Sequence, residues 1–160
     1  MKTFLSLVIV VLSLFGLLNA SYITWNELSG QIPPCSPPFA CDTVLNSSWS
    51  KIGPVPLAGL GMVFYGAFML VSGASVLDYK QLKIAKFTVS LPALIFVMGC
   101  LGAAFSAYLI LVMAVVLKAW CLYCLLSATD CAIVFGMSFG LWKSSDMPSL
   151  LKKESYALHV

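Results

Sequence analysis

The chain has 160 residues, of which 61% are hydrophobic and 9% charged, with a mean hydropathy of +0.99. Soluble domains are ~25% charged, so this composition excludes a mainly soluble chain and predicts an integral membrane protein. All nine positive charges are lysines. Because planar phosphate recognition relies on the arginine fork, a nucleic-acid partner is not expected.

Four apolar runs are long enough to cross a bilayer, which takes about 20 residues. The predicted spans are residues 4–25, 57–77, 87–116 and 120–142. The first run also fits a cleavable signal peptide, but its length favours retention. Within the third run, Pro92 predicts a kink. The predicted fold is therefore an all-α membrane bundle of four helices over residues 1–145, followed by a cytoplasmic tail over residues 146–160.

The only long polar connection is the proline-rich loop over residues 26–56. A short amphipathic helix is predicted within it, over residues 42–49. Three of its apolar side chains are expected to lie on the bilayer surface: Val44, Leu45 and Trp49. A second polar stretch, residues 78–86, is predicted to be a short basic turn between the second and third spans.

Lysines beside the spans predict the orientation, because cytoplasmic flanks are enriched in positive charge. With four spans, seven lysines fall on one side: Lys2, Lys80, Lys83, Lys86, Lys143, Lys152 and Lys153. Lys51 and Lys118 fall on the other side. We therefore predict a plasma-membrane protein with both termini in the cytoplasm, whose loop and whose start of the fourth span are extracytoplasmic.

Four of the six cysteines form two close pairs, Cys35 with Cys41 in the loop and Cys121 with Cys124 at the start of the fourth span. The predicted orientation places both pairs on the oxidising side of the membrane. Cys121 and Cys124 are three residues apart, so they share one side of a helix and can form a bridge. The N–H groups at a helix N-terminus also stabilise a thiolate. Taken alone, each pair is equally compatible with a structural disulfide.

Other candidate residues have weaker patterns. Cys100 and Cys131 stand alone in apolar runs and are expected to be packing residues. Asp130 is the only acidic residue inside the predicted spans, and an interhelical hydrogen bond with a serine or tyrosine is favoured over direct catalysis. No metal site is expected, because zinc requires further ligands and the only histidine, His159, lies on the cytoplasmic side.

Considered together, the two cysteine pairs indicate electron transfer. A water-side dithiol above a membrane dithiol can pass electrons from a soluble protein to a lipid-soluble acceptor. A quinone takes up two electrons and two protons, and it needs only an apolar slot with one or two hydrogen-bond donors. Since the sequence contains no haem ligand set, flavin fingerprint or phosphate loop, we expect a quinone as co-substrate.

Several segments have a specific order and spacing: Cys35, residues 41–49 with Ser47 six residues after Cys41, residues 53–61, and the Cys121–Cys124 motif. In these segments the sequence resembles the vitamin K epoxide reductase family, in its stand-alone prokaryotic form without a fused thioredoxin-like domain. The resemblance implies a four-helix bundle around a quinone, capped by the loop helix. It also implies a separate thioredoxin-fold oxidase as the partner protein.

The resemblance further implies a role for each cysteine. Cys124 would contact the quinone and Cys121 would pair transiently with Cys41. Cys35 would then resolve this bridge and regenerate the Cys35–Cys41 disulfide. The implied quinone-binding positions are Cys124, Ser47, Leu57, Phe64 and Ala128. At two of them, Leu57 and Ala128, vertebrate members place polar residues, which favours simple quinone reduction here over epoxide reduction.

The predicted function is thiol:quinone oxidoreduction that drives disulfide-bond formation, with ubiquinone or menaquinone as the electron acceptor. One alternative is a reductase of vitamin K quinone or its epoxide. The other is non-enzymatic, a small membrane scaffold with two structural disulfides.

Overall fold

A computed structural model describes the backbone at residues 2–53, 55–77, 81–84 and 87–157, and the side chains at residues 3–53, 55–77 and 90–145. Four helices in this part of the chain are long and apolar enough to cross a membrane. They are α1 (Lys2–Leu28), α3 (Leu57–Val76), α4 (Leu91–Leu111) and α5 (Leu122–Ala157). A helix satisfies its backbone N–H and C=O groups internally, as a bilayer requires. The predicted all-α, multi-pass membrane fold is therefore confirmed.

The helices pack unevenly around the bundle. α1 packs chiefly against α3 and α4 chiefly against α5, whereas α3 and α4 touch each other much less. Small residues allow the close approach of α1 and α3, because a Cβ atom on Gly61 would already contact Ala20. At Gly16 an added Cβ would overlap the Tyr65 ring. The seam between α3 and α4 is consequently the loosest of these interfaces.

One half of the bundle, which we call the packed half, is filled with side chains. A buried cluster there joins all four long helices: Ile9, Phe68, Ile95, Val134 and Leu141. Three buried serines donate to the carbonyl four residues earlier in their own helix: Ser13, Ser72 and Ser138. Their polarity is thus satisfied without a partner from another helix.

The loop after α1 contains more regular structure than predicted. α1 ends in a Schellman motif, in which Gly30 has a φ of +67° and donates its N–H to Glu27, while Gln31 donates to Asn26. Three short elements follow: α2 (Cys41–Leu45), a 3₁₀ turn (Ser48–Ser50) and the antiparallel pair β1 (Lys51–Ile52) and β2 (Val55–Pro56).

The prediction of one helix over residues 42–49 is wrong. Ser47 is extended, with a ψ of 155°, and it separates α2 from the 3₁₀ turn. Its hydroxyl donates to the carbonyl of Val44 at 2.7 Å, and Ser50 donates to the carbonyl of Ser47 at 2.8 Å. Such bonds from serine side chains compete with the helical pattern.

The third span also begins later than predicted. Residues Phe87–Ser90 form strand β4, which pairs antiparallel with β3 (Gln81–Ile84), so the predicted basic turn is largely a hairpin. α4 starts only at Leu91. Pro92 therefore lies in the first turn, where its missing N–H has no helical partner to lose, and the predicted kink is wrong. Residues 78–80, 85 and 86 lie outside the described part of the chain.

Two unusual backbone conformations lie in the connection between α4 and α5. Residues Val112–Leu117 form a π-helical segment, which Lys118 ends with a left-handed φ of 49°. The chain then leads through Trp120 into α5, which starts at Leu122 and continues past the predicted end at residue 142. π-helical turns are rare and are frequent at functional sites.

Candidate active site

Cys35 and Cys41 form a disulfide with a Cα–Cα distance of 6.0 Å. Cys41 is the first residue of α2 and is 1% exposed, whereas Cys35 is half-buried. The bond therefore ties the proline-rich stretch to α2 and leaves its Cys35 end closer to solvent.

Cys121 and Cys124 are free thiols at the N-terminus of α5. Cys121 lies in the connection between the third and fourth spans and is completely buried. Its sulfur accepts a hydrogen bond from the Cys124 thiol and further bonds from the backbone N–H groups of Cys124 and Tyr123. These bonds, that from the Cys124 thiol first, outweigh burial and lower the pKa of the Cys121 thiol to about 7.

Two hydrogen bonds connect the loop pair to the membrane pair. Ala40 donates its N–H to the carbonyl of Trp120 at 2.9 Å. These residues directly precede Cys41 and Cys121, so the Cα atoms of the two cysteines are at most about 11 Å apart. The Tyr123 hydroxyl donates to the carbonyl of Pro34 at 3.2 Å.

The same region is held together by apolar packing. One buried cluster contains both Cys41 and Cys121, along with Ile23, Val44, Leu45, Met113 and Ala119. Cys35 and Cys124 pack against its edge. The structure thus brings all four sequence-predicted cysteines together at one end of the bundle.

An apolar cavity of about 500 Å³ lies beside the cysteines, in what we call the cavity half of the bundle. All five sequence-predicted quinone-binding residues line it: Ser47, Leu57, Phe64, Cys124 and Ala128. Of the four paired cysteines, Cys124 lines the cavity, whereas Cys35, Cys41 and Cys121 do not. The two thiols of the membrane pair therefore face different surroundings, Cys121 the loop and Cys124 the cavity.

α2 covers the outer end of this cavity. Val44 and Leu45 are 6% and 7% exposed and line it, so the expectation that they lie on the bilayer surface is wrong. Trp49 is 48% exposed and lines the edge of the cavity. The reason is that the loop disulfide and the bond between Ala40 and Trp120 hold α2 against the bundle.

Tyr65 provides a polar group at the cavity wall that the sequence analysis missed. Its hydroxyl lies 3.1 Å from the Ser127 Oγ atom, 3.2 Å from the Ser127 carbonyl and 3.1 Å from the Cys131 Sγ atom. All three residues line the cavity, and Ser127 lies about one helical turn from Cys124. Ser127, three residues after Cys124, shares its helix face, and this spacing could have found the site. Cys131 packs as expected but also contacts this hydroxyl.

Two carboxyl groups, those of Asp130 and Glu27, have buried oxygen atoms. Asp130 is 4% exposed, and neither of its oxygens makes a hydrogen bond of standard geometry among the described residues. The Tyr65 hydroxyl on α3 nevertheless lies close enough to interact with this carboxyl group, which agrees with the predicted interhelical contact to a tyrosine. Asp130 does not line the cavity. Glu27 also has two buried, unpartnered oxygens, and it does line the cavity. The sequence analysis missed Glu27 because the predicted first span ended at residue 25, whereas α1 continues to Leu28.

The cavity is also bordered by the loose seam between α3 and α4. Leu60 on α3 and Leu101 and Phe105 on α4 line it and are 44%, 64% and 44% exposed. Their side chains face the surroundings of the bundle, which for a membrane helix are lipid. The cavity is therefore lined at this seam by side chains that are also exposed on the outside of the bundle.

The described residues contain no group of three or more His, Cys, Asp or Glu side chains placed to hold a metal ion.

A family model described as the vitamin K epoxide reductase family matches residues 7–139 of the chain. The matched region contains both cysteine pairs, every residue that lines the cavity and the greater part of the membrane bundle.

Proposed function

Because the chain belongs to the vitamin K epoxide reductase family, a family of quinone- and disulfide-linked oxidoreductases, we propose that it is a thiol:quinone oxidoreductase that drives disulfide-bond formation. The observation that carries this proposal is that the two cysteines of the membrane pair have different surroundings. Cys121 is buried with Cys41, while Cys124 lines an apolar cavity. One dithiol can therefore receive electrons on one side and deliver them on the other.

Electrons enter through the loop pair. A dithiol of a thioredoxin-fold partner reduces the Cys35–Cys41 disulfide, and the Cys41 thiolate then attacks Cys121 in an oxidised Cys121–Cys124 bond. Cys124 leaves, and the Cys41–Cys121 mixed disulfide forms. Cys35 next attacks Cys41 and releases Cys121. Since a thiol of low pKa leaves faster, the pKa of about 7 at Cys121 favours this last step.

The cavity fits a membrane quinone such as ubiquinone or menaquinone. Its volume of about 500 Å³ lies within the usual range for small-molecule sites. Apolar side chains of Leu57, Phe64 and Ala128 would hold the ring, and the Tyr65–Ser127 group offers hydroxyls close to Cys124. When bound, a quinone accepts two electrons and two protons. The Ser47 hydroxyl is already bonded to Val44, which supports a role for this serine in ordering the loop.

Reduction of an epoxide has less support. Leu57 and Ala128 both line the cavity and are apolar at the two positions where vertebrate members of the family place polar residues. A scaffold with two structural disulfides also has less support, because the Cys121 sulfur is surrounded by donors that stabilise a thiolate.

We further propose that the active site is extracytoplasmic in the plasma membrane, within a catalytic unit over residues 1–145. Lys51 and Lys118 lie at the cavity end of the bundle, and Lys143 lies near the opposite end of α5. The side chains of Lys2, Lys80, Lys83, Lys86, Lys152 and Lys153, as well as His159, lie outside the described residues. On that side, a thioredoxin-fold oxidase that has introduced a disulfide bond into another protein would carry the reduced dithiol.

The proposal is tested by trapping the mixed disulfide. In a Cys124→Ala variant, the remaining Cys121 thiolate can attack Cys41 and release Cys35 as a thiol. Alkylation of the released Cys35 thiol then blocks the reverse attack that would free Cys121. We expect a Cys41–Cys121 bond, identified by mass spectrometry of peptides under non-reducing conditions. The matched Cys121→Ala variant should form no such bond. Failure to trap it, together with no thiol-dependent quinone reduction by the wild-type protein, would contradict the proposal.

A further inference from the structure

Glu27 is the only carboxylic acid among the described residues that line the cavity. It lies in the last turn of α1, where its carbonyl accepts the N–H of Gly30 at 3.2 Å. Both carboxyl oxygens are buried, and neither has a hydrogen-bond partner within the described part of the chain. A carboxyl group whose oxygens are buried without a partner requires an explanation, because apolar surroundings disfavour an unpaired charge.

The surroundings of Glu27 connect it to the redox chemistry. Its charge acts on the sulfur atoms of both Cys121 and Cys124, and Lys51 on β1 is a cation whose charge acts on Glu27. The hydroxyl of Ser50 also borders the cavity but donates to loop carbonyls. Glu27 is therefore the acid near the membrane dithiol that is free to give or take a proton.

Reduction of a quinone to a hydroquinone requires two electrons and two protons. The Cys121–Cys124 dithiol supplies both electrons when its S–S bond forms. The Cys124 thiol also supplies one proton. The Cys121 sulfur, which the backbone N–H groups of Cys124 and Tyr123 stabilise as a thiolate, supplies none in the thiolate form that prevails above about pH 7. One proton is missing.

We propose that Glu27 supplies this second proton, a role that rests on the proposed function. Cys121 and Cys124 form their disulfide, Cys124 releases its S–H proton, and Glu27 releases its carboxyl proton. The hydroquinone holds both electrons and both protons, and Glu27 is left as a carboxylate. The net charge is conserved, because the negative charge of the Cys121 thiolate is replaced by that of Glu27.

The return step restores the proton. When the Cys35/Cys41 dithiol reduces the Cys121–Cys124 disulfide, two thiol protons are released and two electrons are transferred. One proton goes to the Cys124 sulfur, Cys121 remains a thiolate, and the other proton goes to Glu27. Glu27 is consequently protonated when the membrane pair is reduced and ionised when it is oxidised.

Infrared difference spectroscopy tests this cycle without any quinone. We expect the carbonyl band of a protonated carboxyl group to appear when the Cys121–Cys124 disulfide is reduced by a small dithiol. The band should be missing in Glu27→Gln. It should persist in Asp130→Asn, the matched control, because Asp130 is also an acid with buried oxygen atoms but does not line the cavity. A band that is absent from the wild type, or unchanged in Glu27→Gln, would overturn the proposal.

Single-turnover kinetics provide the second test. At pH 8, pre-reduced Glu27→Gln should reduce ubiquinone about tenfold more slowly than the wild type. The quinone KM should change less than about twofold, and Glu27→Asp should recover part of the rate. In Glu27→Gln the missing proton must come from the Cys121 thiol, so its rate should fall about tenfold per pH unit above pH 7, as this thiol ionises.

The outcomes separate this proposal from the proposed function. Wild-type rates in Glu27→Gln would remove the role of Glu27 and leave thiol:quinone oxidoreduction intact. A wild-type protein that reduces no quinone would remove both. Trapping of the Cys41–Cys121 bond in the double variant Glu27→Gln/Cys124→Ala shows that the substituted site is folded.

Discussion

The two halves of the bundle are built from the same four helices but differ in what lies between them. In the packed half, side chains such as Phe68 and Ile95 meet at the centre, and three buried serines bond within their own helices. In the cavity half, polar bonds join separate elements, as between Asn19 and Tyr123 or between Ala40 and Trp120. At its centre lies an apolar cavity of about 500 Å³ in place of interlocking side chains.

Because of this difference, the packed half mainly determines stability and the cavity half mainly determines chemistry. Close packing of apolar side chains stabilises a fold, whereas the side chains that line a cavity lack some of these contacts. The cavity half therefore depends on crosslinks at its outer end: the Cys35–Cys41 disulfide and the backbone bond from the loop to Trp120. Changes in the packed half should alter stability, and changes in the cavity half should alter activity.

The largest expected effect is at Cys124. Cys124→Ser removes the sulfur that faces the cavity, so thiol-dependent quinone reduction should fall at least about a thousandfold, as for loss of other essential reacting groups. Cys100→Ser makes the same chemical change at a half-buried α4 cysteine that does not line the cavity. Its activity should stay within about twofold. Equal loss in both variants would contradict a special role for Cys124.

The next largest effect is a loss of stability in the packed half, at Phe68. Phe68 is 1% exposed, and Phe68→Ala should lower the free energy of unfolding by about 3–5 kcal/mol through lost packing. The quinone KM of the folded fraction should not change. Leu70→Ala, on the same helix but 72% exposed, is the control and should cost much less. Unfolding in mixed detergent micelles measures both; a raised KM in Phe68→Ala would show that the halves are coupled.

Hydropathy alone predicted the number, order and type of the long helices, because a bilayer demands apolar runs of a set length. It did not predict their ends. Asn26 and Glu27 are polar, but Asn26 donates to the carbonyl of Tyr22 at 2.7 Å and α1 continues to Leu28 before Gly30 ends it. Because the predicted first span ended three residues before α1 does, Glu27 was assigned to the loop and its position at the cavity was missed.

The candidate site could be predicted only where the chain has a local pattern. The cysteine spacings and Ser47 are such patterns, and these residues do gather at one end of the bundle. The apolar face of Val44 and Leu45 was also visible, but an amphipathic pattern does not specify whether its partner is lipid or a cavity. Tyr65 and Ser127 are 62 residues apart, so no local sequence pattern predicts the contact between them.

A smaller effect concerns the Cys121 thiol, in protein whose Cys35, Cys41, Cys100 and Cys131 are replaced by serine. Thiolate absorbance should rise with pH and have its midpoint near the pKa of about 7. Cys124→Ala removes the largest stabilising bond, so the thiolate is favoured less and the midpoint should move up toward about 8.5. Cys124→Ser retains a hydroxyl donor and should shift it less. An unmoved midpoint in Cys124→Ala would contradict the described hydrogen bond.

The smallest expected effect is at Ala128, in the cavity half. Ala128 is 9% exposed and lines the cavity, so Ala128→Trp places a large ring where a quinone would bind. We expect the quinone KM to rise at least about tenfold, with an unfolding free energy within about 1 kcal/mol of wild type, because the ring enters empty space and not a packed core. Ile133→Trp adds a ring to the same helix at a position that is 47% exposed and outside the cavity, and it should change neither quantity. An unchanged KM in Ala128→Trp would mean that the quinone binds elsewhere.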